Sequence, residues 1–503
     1  LPARPSELFF RHYHRFQLKN TAAKLFVANS FLIADYCLLI YSLTKGFEVQ
    51  TNNRSLYPFY PIRPFCFLLR FYLSSVILHL RLDMPTNVEI TVRGTNRFGV
   101  MFRALSHYNF RLFWLGAFVS NVGTWMQAVA QGWLVLQLTG SPFWLGVDSF
   151  MATAPGLVLT LAGGVFADLV DKRKLMLMTQ IGAGLSALSL AILVWTETVH
   201  VWMILTLSFV TGSCMALAGP SYQAMTIDLA GREDLSNAIA LNSIQFQLSR
   251  AVGPTFAGLG FQFFGLAGCF FANALSFVAV VIGLMLLKIE NNHAPSHSLR
   301  DRKALLQDLI DGFRYVKNRP RVFALLAICF VLNFFGASYL SLMPYFAKEI
   351  FKLGESGLAT MMGIAGLGAF CGALMLAFLG DFKHKGLAVL LGVFSFAWCE
   401  IGFAFSTNFN VALMFLFFCG FAVVFAVAVT NMLLQQLVTD EMRGRVMSMF
   451  ILTFIGAMPF GNLLSGIAAE HFGAPLTLAV GGGVIALFIS IVAITNKRLR
   501  ELH

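Results

Sequence analysis

From Arg97 to the C-terminus the sequence is a succession of apolar runs, each about twenty residues long and separated by short polar turns. No other feature of the chain restricts its fold as much. The runs cover 112–136, 143–166, 175–195, 201–225, 239–264 and 266–287. After a charged stretch they continue over 322–346, 358–379, 387–405, 411–434, 446–468 and 476–494. A helix rises 1.5 Å per residue, so about 20 residues cross the roughly 30 Å hydrocarbon layer. Within that layer a helix satisfies its own backbone polar groups. Six runs on each side of the charged stretch therefore read as an all-α integral membrane protein, with twelve transmembrane helices in two six-helix bundles. Composition agrees: 12% of residues are charged, where soluble domains carry about 25%.

The resulting plan is a six-helix bundle over 97–290, a cytoplasmic linker over 291–321 and a second six-helix bundle over 322–503. Within the linker Leu305, Leu306, Leu309, Ile310, Phe313 and Val316 recur at helical spacing. They predict an amphipathic helix lying on the membrane surface or against the bundle, or a short helix in a solvated tether. Residues 1–96 are an unassigned extension. Its apolar patches, 25–43 and 65–80, are interrupted by Asp35 and Arg70, and the first methionine is Met84. The expectation is that the working protein starts near Met84.

The net charge is +12, which raises the question of nucleic acid. The cations instead sit in alternate short loops. Arg97, Arg103 and Arg111 precede the first run, and Lys172, Arg173 and Lys174 follow the second. Arg232 follows the fourth, Lys383 and Lys385 the eighth, Arg443 and Arg445 the tenth, and Lys497, Arg498 and Arg500 the last. The opposite loops hold only Lys348 and Lys352. This is the positive-inside distribution, with both termini cytoplasmic in a multi-pass inner-membrane protein, and no nucleic-acid face. The eight cysteines are scattered without a Cys-x-x-Cys pair, and no His/Cys/Glu cluster has metal-ligand spacing. No cofactor is expected.

The halves repeat. A displacement of 208 residues carries Gly253, Gly258 and Phe264–Gly265 onto Gly461, Gly466 and Phe472–Gly473, and the turn at Glu233 onto that at Glu441. Parallel repeats place a site near the bilayer midplane between the halves.

Two stretches carry a resemblance. Gly164, Asp168, Lys172, Arg173 and Lys174 form a G-x-x-x-D-x-x-x-cation-cation-cation loop between the second and third runs, with Leu169 where arginine is usual. Arg250, Gly253, Pro254 and Gly258 lie in the fifth run, with Ala257 in place of a further glycine. The loop resembles the signature loop of the major facilitator superfamily. The second stretch resembles that superfamily's fifth-helix motif, associated with exporters. The stretches 235–238, 342–347 and 440–448 resemble the branch that holds enterobactin exporters and macrolide efflux pumps, the transmembrane secretion effector type.

The resemblance implies proton-coupled efflux of a small amphiphile, a siderophore or a drug, by a monomer in the lipid bilayer; nutrient uptake by symport is the alternative. It also implies a cytoplasmic gate formed by Gly164, Asp168, Lys172, Arg173 and Lys174, with Asp228 partnering Arg173 or a neighbouring cation. A multi-pass enzyme or a non-transporting sensor are the rival classes. The enzyme would need an acid, base or metal constellation, and the sequence offers no His-based dyad and no nucleophile motif.

Polar groups inside the runs mark the pathway: Asn121, Gln127 and Gln131 in the first, Asn333 and Tyr339 in the seventh, Asn431 and Gln435 in the tenth. Each amide is equally a helix–helix hydrogen bond. Three charged residues lie well inside runs: Asp148, Arg250 and Glu400. Charge within the bilayer costs at least about 2.5 kcal/mol on insertion scales, so these are candidates for proton coupling. Asp148 and Arg250 are expected to pair when no proton is bound, and protonation of Asp148 to free Arg250 for an anionic substrate. Glu400, near the outer end of the ninth run, is expected at the periphery.

Overall fold

The structure is a computed structural model that describes residues 102–160, 171–287, 302–500 and 502, all within the compact unit Asn87–His503. Gly164 and Asp168 lie outside the described residues, as do the extension over 1–96 and the first part of the linker.

Every regular element is helical among the described residues. In chain order these are α1 (Tyr108–Thr139), α2 (Pro142–Thr160), α3 (Lys172–Trp195), α4 (Val201–Ala230) and α5 (Leu235–Leu286). The linker helix α6 (Arg302–Lys317) follows, and then α7 (Pro320–Ile350), α8 (Glu355–Leu379) and α9 (Lys385–Ala404). The series ends with α10 (Phe409–Leu437), α11 (Asp440–Phe472) and α12 (Ala474–Thr495). Ten of the described helices are long and apolar enough to cross a membrane.

The starts are set by local chemistry. Ser141 accepts a hydrogen bond from the Phe143 amide ahead of Pro142, and Asp171 accepts from the Arg173 and Lys174 amides. Asn408 caps α10 in the same way. Each supplies a side-chain oxygen to amide donors that the first helical turn leaves unpaired.

At 52 residues α5 is far too long for one pass, and it is interrupted at Gly265 (φ 65°, ψ −169°). Trp114 Nε1 donates to the Leu241 carbonyl, and a Cβ on Gly253 would lie 2.5 Å from the Trp125 Cβ, so the first limb runs alongside α1 in the same direction. Asn273 bonds Gln127, and Gly116 faces Val280, so the second limb runs back along α1. The backbone stays helical through Pro254, and the non-helical residue is Gly265, where a left-handed φ costs glycine least. α11 begins at Asp440, before the expected 446, so Arg443 and Arg445 lie in its first turns.

The sequence repeat has a spatial meaning. A Cβ on Gly253 would meet Trp125 and Val122 of α1, and one on Gly461 would meet the Phe334 backbone of α7. Gly258 faces Ala359 of α8, and Gly466 touches Gly146 of α2. The first glycine of each pair packs on the first helix of its own half. The second packs on the second helix of the other half. Small residues let helix backbones approach where apolar driving force is lacking.

The end holding the start of α1 is called here the near end, and the opposite one the far end. The two halves meet towards the far end, through Gly146 with Gly466, Gly132 with Pro344, and Gly258 with Ala359. Ser141 Oγ also donates to Glu470 Oε2 at 2.6 Å. On the near side of the α5–α8 contact, Phe246 and Ile239 share the face of Arg250 and are exposed. The linker helix exists as expected and docks on α11: Arg445 Nη1 lies 3.4 Å from Asp311 Oδ2, and Gly312 faces Met449. Val316 is buried, whereas Ile310 and Phe313 remain exposed.

Candidate coupling site and substrate cleft

An amide or hydroxyl inside a helical bundle must find a partner there, because an unpaired one costs a few kcal/mol. In the first half of the chain those partners join into one network. Ser276 Oγ donates to Asn273 Oδ1 (2.9 Å), and Asn273 Nδ2 donates to Gln127 Oε1 (2.7 Å). Gln127 Nε2 donates to Gln131 Oε1 (3.3 Å). Gln131 Nε2 lies 3.0 and 2.9 Å from the two oxygens of Asp148 and 2.9 Å from Ser208 Oγ. Ser208 Oγ donates to Asp148 Oδ1 at 2.5 Å. The network joins α1, α2, α4 and the second limb of α5 and ends on a carboxyl group that is 8% exposed. Among the described residues no cation reaches Asp148, and neutral donors alone hold it.

Three of the residues singled out from sequence, Gln127, Gln131 and Asp148, are therefore brought together. Ser208, Asn273 and Ser276 were missed. Hydroxyls and amides of this kind are common in membrane helices, and only the packing of α4 and α5 against α1 distinguishes these three.

The structure does not bring Asp148 to Arg250. Arg250 reaches instead across to the other half. Its Nη2 donates to the Tyr339 hydroxyl of α7 at 3.1 Å, and its guanidinium lies 5.4 Å from the centre of the Trp125 ring. The reason is directional: Gln131 and Ser208 enclose Asp148 inside the first half, whereas Arg250 sits on the face of α5 that meets the second. Gly366 of α8 abuts the Arg250 carbonyl and the Ala251 Cα, fixing that stretch of backbone.

Glu400 also departs from expectation. It is 0% exposed, not at the periphery, and neither carboxyl oxygen meets a hydrogen-bond partner among the described residues. α12 comes close because Gly482 has no side chain: a Cβ there would lie 2.9 Å from the Ala397 carbonyl and 3.5 Å from Glu400 Oε2.

The remaining polar candidates separate. Asn333 Nδ2 donates to the Cys329 carbonyl of its own helix at 2.8 Å, which is a local role. Gln435 Nε2 donates to Asn431 Oδ1 at 2.7 Å, one turn apart on α10. Asn121 is half-buried on α1 and bonds to no described residue.

At the near end Lys172 Nζ lies 2.8 Å from Asp228 Oδ2. Arg173 does not take Asp228; it donates to the Met285 carbonyl at 2.7 Å, at the C-terminal end of α5 where carbonyls lack helical partners. Lys174 is exposed, its amide bound to Asp171. Both partners of the Lys172–Asp228 pair are about one-third exposed, and such pairs contribute about 0–1 kcal/mol. Lys172→Ala is accordingly expected to leave insertion and thermal stability nearly unchanged and to slow transport less than about fivefold. The exchange Lys172→Asp with Asp228→Lys is expected to restore the rate; failure of the exchange would show that the pair's geometry, not its charge, matters.

A bundle of apolar helices with a buried carboxyl network, an arginine at mid-depth and two halves related by a repeat defines a membrane transporter. The comparisons agree. A family model described as transmembrane secretion effector, of the major facilitator class, matches residues 100–503, and the chain belongs to that family.

Among similar proteins, the staphyloferrin A transporter of Staphylococcus aureus is 24% identical over 395 residues, covering 78% of this chain and 97% of that protein. The multidrug efflux pump Tap of Mycolicibacterium fortuitum is 25% identical, covering 77% and 95%. The enterobactin exporter EntS of Shigella flexneri is 23% identical, covering 79% and 94%. The fold is similar to that of the nucleoside transporter NupG (TM-score 0.59, 14% identity, 78% of this chain and 99% of that one). It is likewise similar to a bacterial homologue of the human lysosomal transporter Spinster in an inward-facing, occupied conformation (TM-score 0.60, 13% identity, 78% and 98%). The protein is thus a multi-pass membrane transporter of the major facilitator efflux type.

Proposed function

We propose that the protein exports a small amphiphile, a siderophore or a drug, in exchange for protons, by alternating access. It spans an inner membrane twelve times as two six-helix bundles. Eleven spans are α1 to α5 and α7 to α12, and the twelfth comes from the second limb of α5. Both termini and the linker helix are cytoplasmic, consistent with the cations at the near end. On that orientation the exposed face of α5 below Arg250, with Phe246 and Ile239, lies towards the cytoplasm and the seam at Gly146 and Gly466 lies on the outer side, as in a state ready to load substrate. The protein works as a monomer surrounded by lipid, needs no cofactor beyond the proton gradient, binds no nucleic acid and has no enzymatic step.

The observation that carries this reading is Asp148. A carboxyl group 8% exposed, held by Gln131 and Ser208 without a cation, is a group whose charge changes when a proton arrives. Hydrogen bonds link it through Gln131 to Gln127 on α1, the helix that also carries Trp125 beside Arg250. Proton occupancy on one side of α1 can thus bias the cleft on the other.

The relatives named for siderophore and drug transport support the substrate class. Flux into inside-out vesicles energised by a pH gradient, with panels of siderophores and drugs, tests it. Accumulation that collapses with the gradient is expected. Accumulation that ignores the gradient removes proton exchange, and movement only in the opposite direction makes the protein an uptake carrier.

A further inference from the structure

Around Arg250 the neighbouring side chains offer hydrogen-bond donors and no acceptor of matching number. The guanidinium carries five N–H groups and stays charged at any physiological pH. Its one bond to a side chain goes to the Tyr339 hydroxyl, a neutral group that accepts there and so directs its own O–H away. Tyr339 is 2% exposed and held by an edge contact with Phe396, ring centres 5.8 Å apart, so it is a fixed partner. Neither that O–H nor the Trp125 indole N–H donates to any described residue, and no described carboxylate lies within ion-pair distance of Arg250. The indole face lies 5.4 Å from the guanidinium and meets Phe246 at 6.2 Å between ring centres. Phe246 itself is exposed. An aromatic wall therefore stands directly beside the unpaired cation.

A cation at mid-depth without an anion is expensive. A set of donors with no acceptor is complementary to an oxyanion, and a guanidinium grips one through two parallel N–H···O bonds. We infer that the substrate carries an anionic oxygen group, a carboxylate or a comparable oxyanion, joined to an aromatic or apolar body. Arg250 and Tyr339 hold the anion, and Trp125 and Phe246 hold the body. This deepens the proposed export function by naming the charge class of its substrate, and it gives Arg250 a further role. Arg250 belongs to the first half of the chain and Tyr339 to the second, so an anion seated between them replaces their direct hydrogen bond. Substrate occupancy thereby alters a contact between the halves, which an amphiphilic cation does not do.

The test uses the purified full chain and three probes of one size: 1-naphthoate, its neutral amide 1-naphthamide, and the cation 1-naphthylmethylammonium, each measured by equilibrium dialysis. The wild type is expected to bind naphthoate at least about tenfold more tightly than either other probe. Arg250→Gln is expected to erase that preference, bringing naphthoate affinity down to that of naphthamide, and a thermal melt matching the wild type reports that the variant is folded. Arg250→Lys is expected to restore part of it, because a lysine keeps the charge and loses the fork. Tyr339→Phe is expected to weaken naphthoate binding about threefold or more, and to weaken it more than naphthamide binding.

A wild type that binds naphthoate no more tightly than naphthamide overturns the inference. So does retention of wild-type naphthoate affinity in Arg250→Gln or Tyr339→Phe. Binding at equilibrium needs no gradient, so this outcome is independent of whether proton-coupled export is found in vesicles.

Discussion

Gly466→Val is expected to reduce transport at least about tenfold without preventing membrane insertion. In this conformation Gly466 and Gly146 put two helix backbones in contact: a Cβ on either would lie 2.8 Å from the Cα of the other. A Cβ on Gly146 would also lie 2.7 Å from the Asn462 carbonyl, so backbone, not a flexible side chain, fills the space. The branched side chain of valine cannot fit without separating α2 from α11. Forcing extra methyl groups into packed sites costs about 1–3 kcal/mol, and about 1.4 kcal/mol is a factor of ten in an equilibrium. The cost falls on the state with the far end closed and spares the state with it open.

Ser141 and Glu470 report the separation directly, since their side chains meet at 2.6 Å across the same seam. With Ser141→Cys and Glu470→Cys, cross-linking by a short bifunctional thiol reagent is expected in the otherwise wild-type chain and is expected to be lost when Gly466→Val is added. Undiminished cross-linking together with full flux would sink the argument that this seam closes the far side. Gly258→Val is the counterpart on α5, where the neighbour is the Ala359 side chain at 3.3 Å. A side chain gives way more readily than backbone, and a smaller effect follows.

The repeat shows how much of the fold the chain displays in one dimension. The spacing that relates Gly253 and Gly258 to Gly461 and Gly466 is visible in the letters, and the reason for it is a pair of equivalent close contacts in space. The apolar runs likewise become helices nearly where length and hydropathy place them, because a membrane helix has few alternatives. Legibility ends where direction decides. Asp148 and Arg250 are opposite charges inside the runs, and the reach of a long arginine side chain suggests a pair although their depths differ. Depth does not say which face of α2 or α5 each occupies, and those faces point to different partners, Ser208 and Tyr339. Glu400 failed for a related reason. Its position four residues from the end of α9 suggests an interface, whereas the bare backbone at Gly482 draws α12 over it. The partners of Asp148 on α4 and α5 were illegible because Ser208 and Asn273 carry no mark that separates them from residues that bond only within their own helix, as Asn333 does.

The network around Asp148 leads to the second large effect. Asp148→Asn is expected to uncouple transport from the pH gradient while exchange of substrate for substrate persists. Asparagine matches aspartate in size and keeps one oxygen for the Ser208 hydroxyl, 2.5 Å away. Its amide nitrogen takes the place of the second oxygen, which faces Gln131 Nε2 at 2.9 Å, so a donor there meets a donor. Leaving one buried donor unpaired costs about 1–3 kcal/mol, which a bundle of this size tolerates, and insertion is expected to be normal. What the variant cannot do is gain and lose a proton. Gradient-driven accumulation is therefore expected to fall at least about tenfold, to the level seen without a gradient, while exchange in the absence of a gradient stays within about threefold of wild type. Asp148→Glu keeps the titrating group but pushes it about one methylene further towards Ser208, and partial coupling is expected. The two measurements divide the roles. Loss of both activities in Asp148→Asn would mean that the network only holds α1, α2 and α4 together. Full gradient-driven transport would move the proton site to Glu400, the other buried carboxyl group among the described spans, whose oxygens meet no partner there. Coupling through Asp148 also requires that the signal pass along α1, from Gln131 through Gln127 to the level of Trp125. Gln127→Leu, which interrupts the bonds to both Gln131 and Asn273, is accordingly expected to reproduce the uncoupling with Asp148 intact.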